Sequence, residues 1–315
     1  MNAIETSNLC KNFGDFNALS NIDIAIPPGQ IVGFIGPNGA GKTTTMRILS
    51  TLELPSEGDA KIMGISCLQF PEKVRKLLGF MPDFYGTYPH TTVYEYLDFF
   101  ARTRFFSTEE RKKRIAIIME YTELESIADR LIDNLSKGMI QRVSLGRVLI
   151  HDPQVLILDE PAAGLDPRAR IELRDLLRLL TRKKNKTIFI SSHILTELSE
   201  ICDSVVLIDT GKIRKQGKIS ELVEEIENNG KRGVLLSIKV MENWESLQKF
   251  LLEQPFIRQI QIAGNEALCN FEGSQLERCR LLKRLTENNF QILEFKTEQK
   301  NLEDVFMELT DGVSQ

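Results

Sequence analysis

Short, unbroken apolar runs set the rhythm of the first two-thirds of the chain. Ile31-Val32-Gly33-Phe34-Ile35, Val155-Leu156-Ile157-Leu158, Thr187-Ile188-Phe189-Ile190 and Val205-Val206-Leu207-Ile208 are four of them. Runs this short, rich in β-branched residues and without polar alternation, predict strands buried on both faces. Residues 42–51 and 168–182 instead space their apolar positions as helices do. Strands that alternate with helices predict a mostly parallel α/β sheet.

The rhythm changes twice. Between about residues 84 and 152 the strands vanish, and residues 93–104, 108–122 and 127–134 predict helices, which reads as a helical insertion between two strands of the sheet. The second change falls at Asn228-Asn229-Gly230-Lys231-Arg232-Gly233, a polar stretch with two glycines that predicts a linker. It divides the chain into a domain over 1–228 and a smaller α+β domain over 229–315. In the second part residues 234–240, 257–262, 267–271 and 290–297 predict strands, and 244–253, 276–288 and 302–309 predict helices. The order β-α-β-β-α-β is that of a ferredoxin-like unit. The charged run Arg182-Lys183-Lys184-Asn185-Lys186 predicts a solvated turn before a strand.

Composition narrows the class. A chain of 315 residues has room for two domains. Forty Lys plus Arg against forty-four Asp plus Glu give a net charge of −4, so no electrostatic hold on nucleic acid is expected. No window approaches the about 18 apolar residues of a membrane span. The start, Met1-Asn2-Ala3-Ile4-Glu5, lacks the basic and apolar stretches of a secretory signal. Cys10, Cys67, Cys202, Cys269 and Cys279 are scattered without a CxxC pair, which predicts reduced thiols in a cytosolic protein.

Three segments carry chemistry. Gly36-Pro37-Asn38-Gly39-Ala40-Gly41-Lys42-Thr43 fits G-x-x-x-x-G-K-[ST] and stands between an apolar strand and a helix, the context a phosphate loop requires. Its glycines let backbone N–H groups turn inward onto phosphate oxygens, and the helix adds the positive end of its dipole. Lys42 is expected to reach the β- and γ-phosphates, Thr43 to ligate Mg²⁺ and Thr44 to add a contact near the α-phosphate. Asp159-Glu160 close an apolar strand, where ligands of open α/β sheets gather. Asp159 is expected to hold Mg²⁺ through water, and Glu160 to polarise the attacking water. Leu135-Ser136-Lys137-Gly138-Met139 opens a helix with Ser136 as a natural N-cap, and a Ser hydroxyl beside a Gly amide there could also receive a phosphate.

With these motifs in this order, the chain resembles the ATP-binding subunit of an ABC transporter over roughly residues 2–225. The resemblance rests on the phosphate loop 36–44, the signature 135–139, the carboxylate strand 156–160, the turn Ala163-Gly164-Leu165-Asp166 and the histidine of Ser191-Ser192-His193. It implies an ABC cassette of the P-loop NTPase fold. ATP and Mg²⁺ would lie between two cassettes stacked head to tail, in a homodimer or a heterodimer. Ser136 and Gly138 would touch the γ-phosphate bound to the partner. His193 would hold the γ-phosphate and help orient water, Asp166 would help the subunits communicate, and Phe13 would stack on adenine. It further implies a polytopic membrane permease as partner and a cytoplasmic site on the inner face of the cell membrane. Phe84-Tyr85-Gly86-Thr87-Tyr88-Pro89 would be the contact. The tail Asn301-Leu302-Glu303-Asp304-Val305-Phe306 resembles the end of an export-type branch.

The chain departs from the family pattern at several positions. Lys137 and Met139 stand where Gly and Gln are usual, so Met139 cannot supply an amide. Asp83 stands where a Gln usually bridges Mg²⁺ and water to the helical insertion; it could bind the metal through water with a shorter reach. Gly164 replaces a small Ser or Ala and is expected to matter little. The alternative function is that of a soluble regulatory ABC ATPase in translation or DNA repair. Such proteins usually carry two fused cassettes or long insertions, and this chain has one phosphate loop. A GTPase or kinase would leave residues 135–139 unexplained, and no Asn-Lys-x-Asp base-reading motif is present.

Overall fold

In the computed structural model the described residues are 1–83, 86, 88, 90–194, 198, 201–222, 234–242 and 244–297. They fall into two compact units, Met1–Ile219 and Ser220–Gln315. The expected linker at 228–233, the helix at 302–309 and the export-type tail lie outside the described residues.

Three layers build the first unit. Strands β1 (Ile4–Phe13), β2 (Phe16–Ile26), β4 (Glu57–Ile62) and β5 (Ile65–Ser66) form an antiparallel sheet in the order β2-β1-β4-β5. Strands β3 (Ile31–Ile35), β6 (Leu78–Met81), β7 (Val155–Leu158), β8 (Thr187–Ser192), β9 (Ser204–Asp209) and β10 (Lys212–Lys218) form the second sheet, in the order β10-β9-β3-β8-β7-β6. Every pair in it is parallel except the edge pair of β9 and β10. One core joins both sheets and the helix α1 (Lys42–Leu49), with Leu9, Ile22, Phe34, Met46, Ile157 and Phe189 among its members. Phe34 and Phe189 stack across neighbouring strands with centroids 4.9 Å apart. Helix α2 (Pro71–Leu77) leads into β6.

The antiparallel sheet was not legible as alternation. Asn8 and Asn21 take left-handed backbone angles of 48° and 51°, and β1 slips register against β2 three times. Each slip moves the side-chain period to the other face.

Helices α3 (Val93–Thr103), α4 (Thr108–Thr122) and α5 (Lys137–Leu149) fill the stretch between β6 and β7. Thr92 and Glu95 form a capping box at α3, and Ser107 caps α4. Residues 127–134 are not the single helix the spacing predicts; the stretch holds two 3₁₀ turns, Glu125–Ile127 and Ile132–Asn134. Its carbonyls serve elsewhere: Val93 N–H donates to Arg130 O and Tyr94 N–H to Ala128 O, so this segment satisfies the free donors at the start of α3.

Helix α6 (Pro167–Lys184) follows β7. The charged run at its end is solvated as expected through Asn185, but most of it is helix and its last residue is not exposed. Arg182–Lys184 complete the helix, Asn185 ends it in a left-handed conformation, and Lys186 is buried. The Lys186 ammonium is anchored by Asp152 Oδ1 at 2.6 Å and Pro153 O at 2.5 Å.

In the second unit β11 (Val234–Val240), α7 (Trp244–Leu252), β12 (Ile257–Ala263), β13 (Glu266–Phe271), α8 (Gln275–Glu287) and β14 (Ile292–Thr297) follow the order β-α-β-β-α-β. The sheet runs β12-β13-β11-β14, all antiparallel, the arrangement of a split β-α-β unit. Leu236, Ile238, Ala267 and Cys269 on one sheet face meet Leu247 and Leu251 of α7 and Leu281 and Leu285 of α8. Among the described residues no helix is long and apolar enough to cross a membrane.

Candidate functional site

The loop from Gly36 to Gly41 leaves the carboxyl end of β3 and turns into α1. Two of its positions require glycine. A Cβ on Gly36 would stand 2.2 Å from Ile208 O, and Gly41 combines a φ of +105° with 2.6 Å to Leu19 Cδ2. No described residue accepts from the N–H groups of Gly39, Lys42, Thr43 or Thr44. These are the orphan donors of a helix start, suited to an anion. Lys42 is buried and its Nζ donates to Gly36 O at 2.7 Å and Pro37 O at 3.2 Å. Burial holds its pKa below the usual lysine value, against the opposing pull of Glu160 and Asp159.

The neighbouring strands β7 and β8 bring the acids and the histidine to the same edge. Asp159 is 1% exposed, and the buried Ser191 hydroxyl donates to its Oδ1 at 2.6 Å. The same Ser191 oxygen accepts from the Glu160 N–H at 2.8 Å. Glu160 has a left-handed φ of 49°, uncommon for a residue with a side chain, and this hydrogen bond helps hold it there. Its carboxylate is thereby aimed across the cleft. His193 Nδ1–H donates to Glu160 Oε2 at 2.9 Å, and Lys42 Nζ lies 3.9 Å from Oε1.

These groups line one cleft of about 460 Å³. Asn38, Gly39, Gly41, Lys42, Thr43 and Thr44 line it together with Asp83, Glu160 and His193, and Phe13 joins them. Gly36 and Ala40 complete the loop, and Asp159 lies buried beside Glu160. Phe16, which the sequence reading passed over, also lines the cleft. It pairs with Phe13 across the β1–β2 hairpin, and the two rings are 48% and 64% exposed. The Lys11 ammonium sits 4.8 Å from the centre of the Phe13 ring. Two exposed aromatics on a rigid hairpin are a ready stacking platform.

Ser136 and Gly138 are not among the residues lining that cleft. Ser136 caps α5, its Oγ accepting from Met139 N–H at 3.3 Å. Gly138 faces α6, where an added Cβ would stand 3.1 Å from that of Ala169. Helix α5 is tied to the catalytic segment at two points: the buried Gln141 amide donates to Pro161 O, and Arg142 pairs with Glu172 of α6. Asp166 caps α6, accepting from Ala169 N–H at 2.9 Å. Gly164 has a φ of +67°, a left-handed conformation that favours glycine, and the atom a Cβ there would meet is the mobile end of the exposed Lys137 side chain.

A loop of free amides, a buried lysine and a carboxylate–histidine pair at the carboxyl ends of adjacent strands form a nucleoside-triphosphate site, and comparison with known proteins agrees. Residues 19–163 match the ABC transporter family model. The chain is 32% identical over 307 residues to YxlF, an uncharacterized ABC transporter ATP-binding protein of Bacillus subtilis, covering 97% of this chain and 99% of that protein. The chain belongs to the ABC transporter ATP-binding proteins. A Nod factor export ATP-binding protein I of Rhizobium etli is 33% identical, over 98% of this chain and 94% of that one. Among solved structures, the ATP-binding subunit of an ABC transporter superposes with a TM-score of 0.64 at 28% identity, covering 72% of this chain and 95% of that one. A dimeric ATP-binding cassette in a post-hydrolysis state, bound to ADP and phosphate, does so with a TM-score of 0.62 at 26% identity, covering 68% and 98%. The first unit is thus an ABC cassette of the P-loop NTPase fold, and the protein is an ATPase whose hydrolysis is coupled to transport.

Proposed function

We propose that the chain is the motor subunit of an export-type transporter, working as a pair of cassettes on a separate polytopic membrane permease. The observation that carries this reading is the cleft that unites Lys42, Thr43, Glu160 and His193. ATP lies in it with its base against Phe13 and its phosphates on the amides of residues 39–44. Lys42 leaves the carbonyls of Gly36 and Pro37 and turns to the β- and γ-phosphates, a short swing for a flexible side chain. Glu160 accepts a proton from the attacking water, and with ATP bound His193 turns its ring N–H from that carboxylate to the γ-phosphate.

Mg²⁺ fits the donors present. Thr43 is exposed with its hydroxyl free of any described partner, and Asp159 keeps one carboxylate oxygen beyond the one bound by Ser191. Asp83 lines the same cleft. Few protein oxygens, completed by phosphate and water, suit a small hard cation. When bound, the ion supplies charge neutralisation at the β- and γ-phosphates.

In the paired state Ser136 and Gly138 meet the γ-phosphate on the partner's loop. Their separation from the chain's own cleft supports that division of labour. The permease docks on the helical stretch, where Tyr88, Tyr96, Phe99 and Phe100 form a ring cluster with neighbouring centroids 4.9–6.4 Å apart. Phe84, Tyr85, Thr87 and Pro89 of the expected contact lie outside the described residues. Arg147 lies over Phe100, and a groove of about 430 Å³ beside it is lined by Leu52, Phe80, Phe100 and Arg104. A short amphipathic helix of the permease fits such a groove. The protein is then peripheral on the cytoplasmic face of the membrane. Resemblance to an export protein over 98% of the chain supports the direction of transport.

The test is co-purification. A tagged Glu160→Gln chain is saturated with ATP, recovered from detergent-solubilised native membranes and its companions identified. A stoichiometric polytopic protein is expected. Ribosomal or DNA-bound partners without one would overturn the permease reading in favour of a regulatory ATPase.

A further inference from the structure

Glu160 stands in a backbone conformation that two features oppose. Its φ of 49° is left-handed, and the proline that follows it favours an extended residue before it. Such a conformation persists only where surrounding contacts over-determine it. Ser191 of β8 supplies one restraint, accepting from the Glu160 N–H at 2.8 Å. The other comes from the helical stretch: the Gln141 side-chain amide of α5 donates to Pro161 O, one residue further on.

Packing alone does not explain a glutamine at position 141. The buried residues of α5 include Val143, Leu145, Val148 and Leu149, so an apolar side chain would suit its surroundings. Gln141 is only 6% exposed, and Pro161 is buried. An amide placed there costs free energy unless it is hydrogen-bonded, and a buried carbonyl likewise needs a donor. Here the amide supplies that donor. The following residue, Arg142, pairs with Glu172 of α6. Consecutive residues of α5 thus hold the residue after Glu160 and the helix into which the catalytic turn runs. Ser136 caps that same α5 and Gly138 lies in its first turn, within about one and a half turns of Gln141.

We infer that Gln141 is a positioning residue for Glu160: its bond to the Pro161 carbonyl holds the strained backbone that aims the carboxylate, and so ties the alignment of the base to the position of α5. The inference rests on the reading of Glu160 as base given above and adds to it a residue that does not line the nucleotide cleft. Ser191 and Gln141 restrain one turn from two elements, β8 and α5. Loss of the amide lets the backbone relax toward the extended region, and the carboxylate shifts with it. The phosphate loop, Lys42 and the aromatic pair keep their geometry, so turnover falls while nucleotide is held as before.

The experiment compares the parent with Gln141→Met, which fills the space without a donor. Phosphate release is measured at saturating ATP, affinity with a fluorescent ATP analogue, and ATP-dependent pairing by sedimentation of chains that also carry Glu160→Gln. Turnover falls about 10- to 100-fold, since a displacement near 1 Å costs up to about a hundredfold. Affinity and pairing stay within about twofold of the parent, the pattern of an interaction used only in the chemical step. Gln141→Asn, whose amide falls short of the carbonyl, gives the same split should Gln141→Met fail to fold. Parent-like turnover in Gln141→Met overturns the inference. So does a fall in turnover matched by loss of affinity or pairing, because α5 would then act as a scaffold alone. Full turnover in the single variant Glu160→Gln removes the reading of Glu160 as base and the inference with it. An inactive Glu160→Gln beside a fully active Gln141→Met overturns the inference alone.

Discussion

Ser191→Ala is the most informative single change in the catalytic segment. The hydroxyl makes two bonds at once, donating to Asp159 Oδ1 at 2.6 Å and accepting from Glu160 N–H at 2.8 Å. Its removal leaves a buried carboxylate oxygen and a backbone donor without partners. An unpaired buried group costs about 1–3 kcal/mol, so the pair puts the loss of stability at about 2–4 kcal/mol. In a unit of this size that lowers the melting temperature by about 5–15 °C. The effect on turnover has a separate origin. The Glu160 φ of 49° loses one of its restraints, and the carboxylate that must align water drifts. A displacement near 1 Å costs about a hundredfold, so kcat falls roughly 10- to 100-fold. Nucleotide affinity stays near the parent's, because the loop, Lys42 and Phe13 are untouched. Phosphate release at saturating ATP, binding of a fluorescent ATP analogue and thermal melts separate these effects. A variant with the parent's kcat, or one whose affinity falls while kcat holds, refutes the assignment of Ser191 as a positioning residue.

Acid stability tests the half-buried His151. Burial, and then the positive charge of Arg104, hold His151 down at about 4 from an ordinary value of 6.5. As the pH falls through that window the unfolded chain takes up a proton the folded one refuses, so stability drops by up to about 3 kcal/mol and levels off below it. Urea midpoints should show a shallower decline between about pH 7 and pH 4.5 in His151→Gln than in the parent; parallel declines would contradict the burial argument. Phe13→Ala should raise the ATP dissociation constant about 5- to 50-fold through lost stacking, read by titration, with an unchanged melt because the ring is half exposed. Gly36→Ala should abolish nucleotide binding, since its Cβ would stand 2.2 Å from Ile208 O and the loop must move to admit it; retained affinity would show that the loop tolerates the shift.

Most of the chemistry was legible because it is local in sequence. Phosphate loop and helix start are contiguous, Asp159 and Glu160 directly follow one apolar run, and His193 stands two serines beyond another. Such runs predict parallel strands, and parallel strands bring their carboxyl ends to one edge. What the sequence hid depends on contacts between distant segments. Ser191 reads as one more strand residue until β7 and β8 are laid side by side. Lys186 reads as the end of a solvated run, yet it is buried against Asp152 and Pro153. Phe16 gains meaning only from the hairpin that sets it opposite Phe13. The β1–β2 sheet escaped because its bulges interrupt the period-two signal on which strand recognition depends.

On the proposed reading a single chain holds only part of the catalytic site, and ATP completes it by joining two. The most direct measurement is the mass in solution of the purified Glu160→Gln chain with ATP and with ADP. Twice the monomer mass is expected in ATP and a monomer in ADP, with phosphate release by the parent chain under the same conditions. A Glu160→Gln chain that binds ATP yet remains monomeric at saturating nucleotide would contradict it.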